Sequence, residues 1–345
     1  MKKILFASTR QGAGKTNIIV GVSSVSGKKI SYIKPFGDRL TYRWKINWDY
    51  DAALINRLWK LDMETDHMTL GYSHQKMRYM YDEDGLKTAL NEMADNAAAG
   101  KDALIIEGGQ DLIYGSSLHF DSISMARYLG CELYIVAGGE TDQVLDDMSF
   151  LKHYRDLEGV DFKGIIVNKI RDVDEFEAVH LDAIDAMGIP VLGIIPFKEQ
   201  LTYFTMQYLA DKFSARIIAG EKGLNKIVKN IFVGAMSTGE SLRNPLFNKE
   251  NKLLITSGDR SEMILAALES DTSGLILTNN LLPPSNIISK AAEKDVPLLL
   301  LSLDTYNIAR QMDNIEALLT GENSDSLDML SHLARKYIKT DLLLK

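Results

Sequence analysis

Gly14-Lys15-Thr16 closes the stretch "ASTRQGAGKT" (7–16), and these residue types together bind phosphate. Gly12 and Gly14 let the backbone approach an anion without a Cβ in the way. The amides running from Gly12 and Ala13 into Asn17, at the mouth of the following helix, then point at the anion. Lys15 would hold the β- and γ-phosphates, and the Thr16 hydroxyl would ligate Mg²⁺. Where the ordinary phosphate-loop pattern has its first glycine, this chain has Thr9. Further along, "ALIIEGGQD" (103–111) is an apolar run ending in Glu107. A buried strand of this kind delivers one acid to the metal beside the loop threonine, and a buried glutamate with no cation partner would be costly. Lys34, in "YIKPFGD" (32–38), sits at another strand end, and Asp51, in "WDYDAALI" (48–55), opens a helix close to Asp49.

These residues can meet only if the elements between them stack in order. "KILFA" (3–7), "KISYIK" (29–34), "ALIIEG" (103–108), "ELYIVAG" (132–138), "KGIIVNK" (163–169) and "PVLGIIP" (190–196) read as strands buried on both faces. "DEDGLKTALNEMADNAAAG" (82–100) reads as a helix, with acids at its start and glycine at its end. The alternation predicts an α/β, doubly wound, mainly parallel sheet, with ligands at the carboxyl ends of its strands. After "IPFKEQ" the cycle restarts. "TYFTMQYLADKFSARIIAG" (202–220) reads as helix then strand, and "IFVGAM" (231–236), "KLLITSG" (252–258), "SGLILTN" (273–279) and "VPLLLLS" (296–302) as further strands, with helices at about 260–270 and 284–295. The expected division is 1–205 for the first domain, 206–325 for a smaller α/β domain, and 326–345 for a C-terminal helix carrying "LDMLSHLARKYI".

The whole chain narrows the classes. It has 345 residues, 46% hydrophobic and 25% charged, which suits a soluble globular protein. A net charge of -8 argues against nucleic acid as the main partner. The single cysteine, Cys131, allows no internal disulfide and no cysteine-based zinc site. The N-terminal apolar run is too short for a signal peptide, and no stretch approaches about 18 apolar residues. The expectation is a cytoplasmic protein with no membrane partner. His67 and His74 show no metal-ligand spacing, and "MRYMY" reads as helix core.

The loop resembles that of the dethiobiotin synthetase group, which has one more residue before the closing Gly-Lys-Thr. On that spacing Ser8 stands at the first glycine and Thr9 matches a threonine, while Arg10 and Gln11 depart from Asp-Thr. Arg10 also falls where related partition-type ATPases carry a second lysine. Lys34-Pro35 matches the group's Lys-Pro-Val, whose lysine contacts phosphate and substrate, with Asp38 where a small hydroxyl would stand. Asp51 and Glu107 match its Mg²⁺ ligands. Asn168 matches an asparagine that reads adenine, a role its two-sided amide suits, and Pro196 falls in the segment that lines the base. The resemblance covers residues 1 to about 200 and implies a P-loop fold with ATP and Mg²⁺ as cofactors.

The second half resembles a DRTGG domain, the module that follows a dethiobiotin-synthetase-like domain in long phosphate acetyltransferases and is regulatory in some pyrophosphatases. Asp259-Arg260 matches its Asp-Arg and Ser261-Glu262 departs from Thr-Gly. Asp259 and Arg260, at strand ends, mark a candidate ligand or dimer surface. Without an acetyltransferase domain, the chain resembles the detached N-terminal half of such an enzyme. Two functions follow. One is a nucleotide-dependent regulatory or sensor ATPase acting through the DRTGG domain on a metabolic enzyme or in answer to a small effector. The other is an ATP-dependent ligase of the dethiobiotin synthetase or cobyrinic acid a,c-diamide synthase type, in which Lys15 and Lys34 act on a small carboxylate or carbamate. Resembling proteins form dimers, so a homodimer or higher homo-oligomer is expected.

Overall fold

The computed structural model describes residues 1–43, 46–139, 141–154, 157–313, 315–316, 318–319 and 324–344. The chain divides into two units, Met1–Lys198 with Leu319–Lys345, and Glu199–Leu318.

The first unit runs β1 (Lys2–Ser8), α1 (Lys15–Ser24), β2 (Ile30–Ile33), β3 (Leu40–Arg43), β4 (Ile46–Asp49), α2 (Tyr50–Trp59), α3 (His74–Met80), α4 (Glu83–Ala98), β5 (Ala103–Glu107), α5 (Ser122–Leu129), β6 (Glu132–Gly138), α6 (Thr141–Tyr154), β7 (Asp161–Ile170), α7 (Val173–Ala186) and β8 (Val191–Pro196). Six of its strands form one sheet, ordered β2-β5-β1-β6-β7-β8, with every pairing parallel. This is the doubly wound sheet that the alternating pattern predicts. Its strands are nearly continuous apolar runs because helices cover both faces. Leu5, Leu104, Ile106, Leu133, Ile135 and Val167 lie in one core cluster with Leu90, Ala94 and Ile123 from the helices.

The central strand β1 lies between β5 and β6, so the loop after it opens where the crossovers diverge to either side. Phe6 pairs with Glu107 and Ile33 with Ile106, which brings the ends of β1, β5 and β2 to one edge of the sheet. The antiparallel hairpin β3–β4, between β2 and α2, is absent from the strands expected above, although residues 40–50 alternate apolar and polar. It ends on Asp49, whose Oδ1 accepts from the amides of Asp51 and Ala52 and so caps α2.

The second unit contains β9 (Phe204–Thr205), α8 (Met206–Lys212), β10 (Arg216–Ala219), β11 (Ile227–Val228), β12 (Asn230–Val233), α9 (Thr238–Arg243), β13 (Lys252–Ser257), α10 (Ser261–Leu268), β14 (Thr272–Thr278), α11 (Ser285–Glu293), β15 (Leu298–Leu300) and α12 (Thr305–Asp313). Its five-stranded sheet is ordered β10-β15-β14-β13-β12, parallel except for β10 at the edge. It has apolar clusters of its own on both faces of the sheet.

The chain's last segment belongs to the first unit. One helix over 326–345 was expected, but the backbone forms two, α13 (Ser324–Tyr337) and α14 (Thr340–Leu344). The break is an isolated bridge from Ile338 to Gly193 of β8, with the Lys339 amide donating to Leu192 O. Gly193 has no room for a side chain, since a Cβ there would lie 2.2 Å from Tyr337 O. Part of the polar stretch after Thr320 lies outside the described residues. Of "MRYMY", only Met77 is buried in the core, while Tyr79 and Met80 face outward. Among the described residues, no helix is long and apolar enough to cross a membrane.

Candidate functional site

The loop after β1 has the backbone its glycines allow. Gly12 and Gly14 take φ of 74° and 93°, in the left-handed region that costs other residues a Cβ clash. Gly14 is also the N-cap of α1 with no side-chain cap, leaving the first helix amides free to face an anion. Lys15 is buried, and its ammonium donates to Ser8 Oγ at 2.8 Å and Gln110 O at 3.3 Å. Burial lowers its pKa, and Glu107 is the largest charge opposing that shift. Ser8, at the position of the missing glycine, thus makes a contact a glycine could not. Thr9 Oγ1 is buried without a hydrogen-bond partner.

Glu107 ends β5 beside this loop. Its Oε1 accepts from Thr16 Oγ1 at 2.9 Å and its Oε2 from the Tyr32 hydroxyl at 2.8 Å. Burial pushes its carboxyl up to about 7, with Asp51 adding to the shift. Lys34, 1% exposed, projects from the end of β2 into three carboxylates. Its Nζ pairs with Asp38, with Asp51 at 2.6 Å and with Asp49 at 3.2 Å. Burial alone would lower the Lys34 ammonium, but Asp49, Asp51 and Asp38 override it and hold the pKa well above the ordinary lysine value. Burial would likewise raise Asp51, but Lys34 and Arg39 bring it down to about 2. Asp49 Oδ2 also accepts from the amides of Asp38 and Arg39, so the hairpin and the cage hold each other in place.

Four buried carboxylates, Asp38, Asp49, Asp51 and Glu107, therefore face three cations, Lys15, Lys34 and Arg39. One negative charge is left over, and burial raises the pKa of both Glu107 and Asp49, which favours a proton within the cluster. A divalent cation beside Thr16 and Glu107 would more than offset that charge and leave a surplus suited to an anionic phosphate, so the donor set fits Mg²⁺. The unpartnered Thr9 hydroxyl and the uncapped start of α1 likewise fit a phosphate.

Asn168 and Lys169 come from the end of β7. Asn168 Nδ2 donates to Ala13 O at 2.8 Å, and Lys169 Nζ donates to Gly12 O at 2.6 Å. Pro196 lies on the neighbouring strand, opposite Ile170. Asn17 is half-buried in the first turn of α1. Arg10 turns outward from the loop to a two-point pair with Asp147 of α6, at 2.9 and 2.8 Å. In the second unit, Asp259 is exposed, and the Arg260 guanidinium donates to Gly234 O and Met236 O, holding the loop after β12.

Sequence reasoning singled out Lys15, Thr16, Lys34, Asp51 and Glu107, and the fold brings them to one sheet edge. It missed that Asp38 and Asp49 join Asp51 around Lys34, and that Tyr32, Ser8, Gln110, Arg39 and Lys169 are partners. Only Asp38, four residues after Lys34, carried a visible signal. Glu64, Asp66 and His67 come within reach of one another but are all exposed, an arrangement common without a metal. His74 packs edge-on against Tyr114 at 4.9 Å. Cys131 is buried, its thiol pushed up to about 12 by burial.

Glu107 also sets a pH dependence. Its folded value of about 7 lies above its ordinary 4.5. Between those values the folded chain keeps a proton that the unfolded chain has lost, so stability falls as pH rises. The contribution is full below 4.5 and gone above about 7, on the order of 3 kcal/mol. In metal-free protein, Glu107→Gln should flatten this part of a melting-temperature series. A series that keeps the wild-type slope would place the titration elsewhere. Because a carboxylate must be ionised to ligate, Mg²⁺ should stabilise the wild type more above the Glu107 pKa than below it.

A family model described as an AAA domain matches residues 2–205, and one described as a DRTGG domain matches 208–315. The chain is 23% identical to a phosphate acetyltransferase of Nitratidesulfovibrio vulgaris, over 99% of this chain and 51% of that protein. It is 24% identical to one from Synechocystis sp., over 93% of this chain and 48% of that protein. It thus spans about half the length of these curated relatives. Among solved structures, the CBS and DRTGG domains of the regulatory region of Clostridium perfringens pyrophosphatase, complexed with the activator diadenosine tetraphosphate, are 19% identical over 40% of this chain and 61% of that one. The TM-score is 0.29, too low to carry an argument. The AAA-domain match covers more than half of the chain, over the loop, sheet and buried acids just described, and the protein belongs to this dethiobiotin-synthetase-like family of P-loop proteins, with a DRTGG domain after it.

Proposed function

We propose that the chain binds Mg-ATP and acts as a nucleotide-dependent regulator or sensor ATPase through its DRTGG domain. The observation that carries this reading is the carboxylate cage around Lys34. A ligase of the dethiobiotin synthetase type needs that lysine at the transferring phosphate and the substrate. Here its ammonium is buried among three acids, and a phosphate would have to displace one of them to meet it.

On this reading Lys15 meets the β- and γ-phosphates, and the loop from Gly12 through Ala13 and Gly14 to Asn17 supplies amides. Thr16, Asp51 and Glu107 would hold Mg²⁺, which when bound neutralises phosphate charge. Asn168 and Pro196 border the base. Asp259 and Arg260 form the surface through which the DRTGG domain answers a metabolic enzyme or a small effector. Nucleotide occupancy then shifts a population between two states of the protein. On this reading the protein works in the cytoplasm as a homodimer or higher homo-oligomer. The second reading, an ATP-dependent ligase acting on a small carboxylate or carbamate, is favoured by the meeting of Lys15, Thr16 and Glu107 in one buried site.

Phosphate release from Mg-ATP by the purified chain, alone and with pooled small metabolites, separates the two, with Lys15→Ala as the blank. Tight ATP binding with slow, unstimulated release supports the regulator. Strong stimulation by a metabolite overturns it in favour of the ligase.

A further inference from the structure

Gly12 and Ala13 present two consecutive carbonyls to β7, and two consecutive side chains there take them. Asn168 Nδ2 holds Ala13 O and Lys169 Nζ holds Gly12 O. The backbone is specialised for this. The β7–β8 register shifts between Asn168 and Ile170, and Lys169 sits in the bulge at φ 68°. That is the left-handed region, uncommon and strained for a residue with a side chain. In a regular strand, consecutive side chains point to opposite faces. The bulge lets Asn168 and Lys169 reach the same loop. The fit is close, since a Cβ on Gly14 would lie 2.5 Å from Asn168 Nδ2 and 3.6 Å from Lys169 Cε.

A trans peptide is planar, with its N–H opposite its C=O. Holding the carbonyls of Gly12 and Ala13 toward β7 therefore turns the next two amides, Ala13 N–H and Gly14 N–H, to the other side of the loop. The Ala13 amide does face across the loop, toward Arg10 O at a long 3.4 Å. We infer that Lys169 is a positioning residue, paired with Asn168, that sets the phosphate loop in its anion-binding shape through the Gly12 carbonyl. This rests on the nucleotide-binding reading above. Lys169 acts through the loop backbone, so its effect scales with the phosphates the loop must hold.

The test compares binding of AMP, ADP and ATP, with Mg²⁺, to wild type, Lys169→Met and Lys169→Arg. Lys169→Met keeps the stem and removes the donor. It should weaken ADP and ATP at least ten-fold while changing AMP less than three-fold, and Lys169→Arg should recover most of the loss. In nucleotide-free protein, the ¹⁵N–¹H signals of Ala13 and Gly14 should move in Lys169→Met with little change in melting temperature. If Lys169→Met does not fold, Lys169→Gln is read against the same criteria. Unchanged ADP-to-AMP ratios, an equal loss for all three nucleotides, or unmoved loop signals would overturn the inference while leaving the nucleotide-binding reading intact. A wild type that binds none of the three overturns both.

Discussion

Lys34→Met is expected to destabilise the protein by about 3–5 kcal/mol, the cost of leaving buried charge without its partner. The lysine is 1% exposed and is shared by Asp38, Asp49 and Asp51. The Arg39 guanidinium pairs with Asp51 at 3.0 Å, so that acid keeps a cation beside it when the lysine is gone. The methionine stem fills the space, which makes the loss electrostatic rather than a cavity. The acids can then relax only by taking up protons, so the variant should recover stability as pH falls, until Asp51 and its neighbours are neutral. Denaturant unfolding of both proteins at two pH values measures it. A loss under about 1 kcal/mol would mean that the cage is solvated, and would remove the observation behind the regulator reading.

Lys15→Ala should weaken Mg-ATP binding by about 2–5 kcal/mol, at least thirty-fold and up to several thousand-fold, as when one partner of a buried charge-assisted contact is truncated. Its ammonium is already held at the mouth of the loop by Ser8 Oγ and Gln110 O. Little side-chain freedom remains to be lost when a phosphate takes their place. Calorimetric titration gives the affinities. Unchanged affinity would sink the assignment of nucleotide to this loop. The nucleotide-free variant should lose less stability than Lys34→Met, because Lys15 faces chiefly one acid, Glu107, which is already prone to hold a proton.

The two lysines show how far the sequence could be read. Lys15 announced itself, because a phosphate loop is a local pattern, an apolar strand followed by glycines at fixed offsets and a helix. The parallel sheet was legible for a similar reason. Runs such as "ALIIEG" and "KGIIVNK" are too continuously apolar for strands with a wet face. A second, smaller α/β domain was legible from a second cycle of the same runs, and the resemblance carried by Asp259-Arg260 implied that it is a DRTGG domain. The partners of Lys34 were not legible. Asp49 enters the site because the β3–β4 hairpin turns back and ends there. Residues 40–50 do alternate apolar and polar, as a strand should, but that pattern does not say which charges the hairpin's end will meet. Lys169 was given no role from the sequence, because a bulge in β7 leaves no mark in composition or spacing.

Fold class, two-domain order and the position of the phosphate loop could all be read from the chain, since each rests on runs and motifs of consecutive residues. The tertiary structure alone decided which charges share a buried space. Asp38, Asp49, Asp51 and Glu107 arrive on different elements. Their protonation and their grip on Lys34 depend on distances that only the packed sheet edge sets, because burial removes the water that would otherwise screen them.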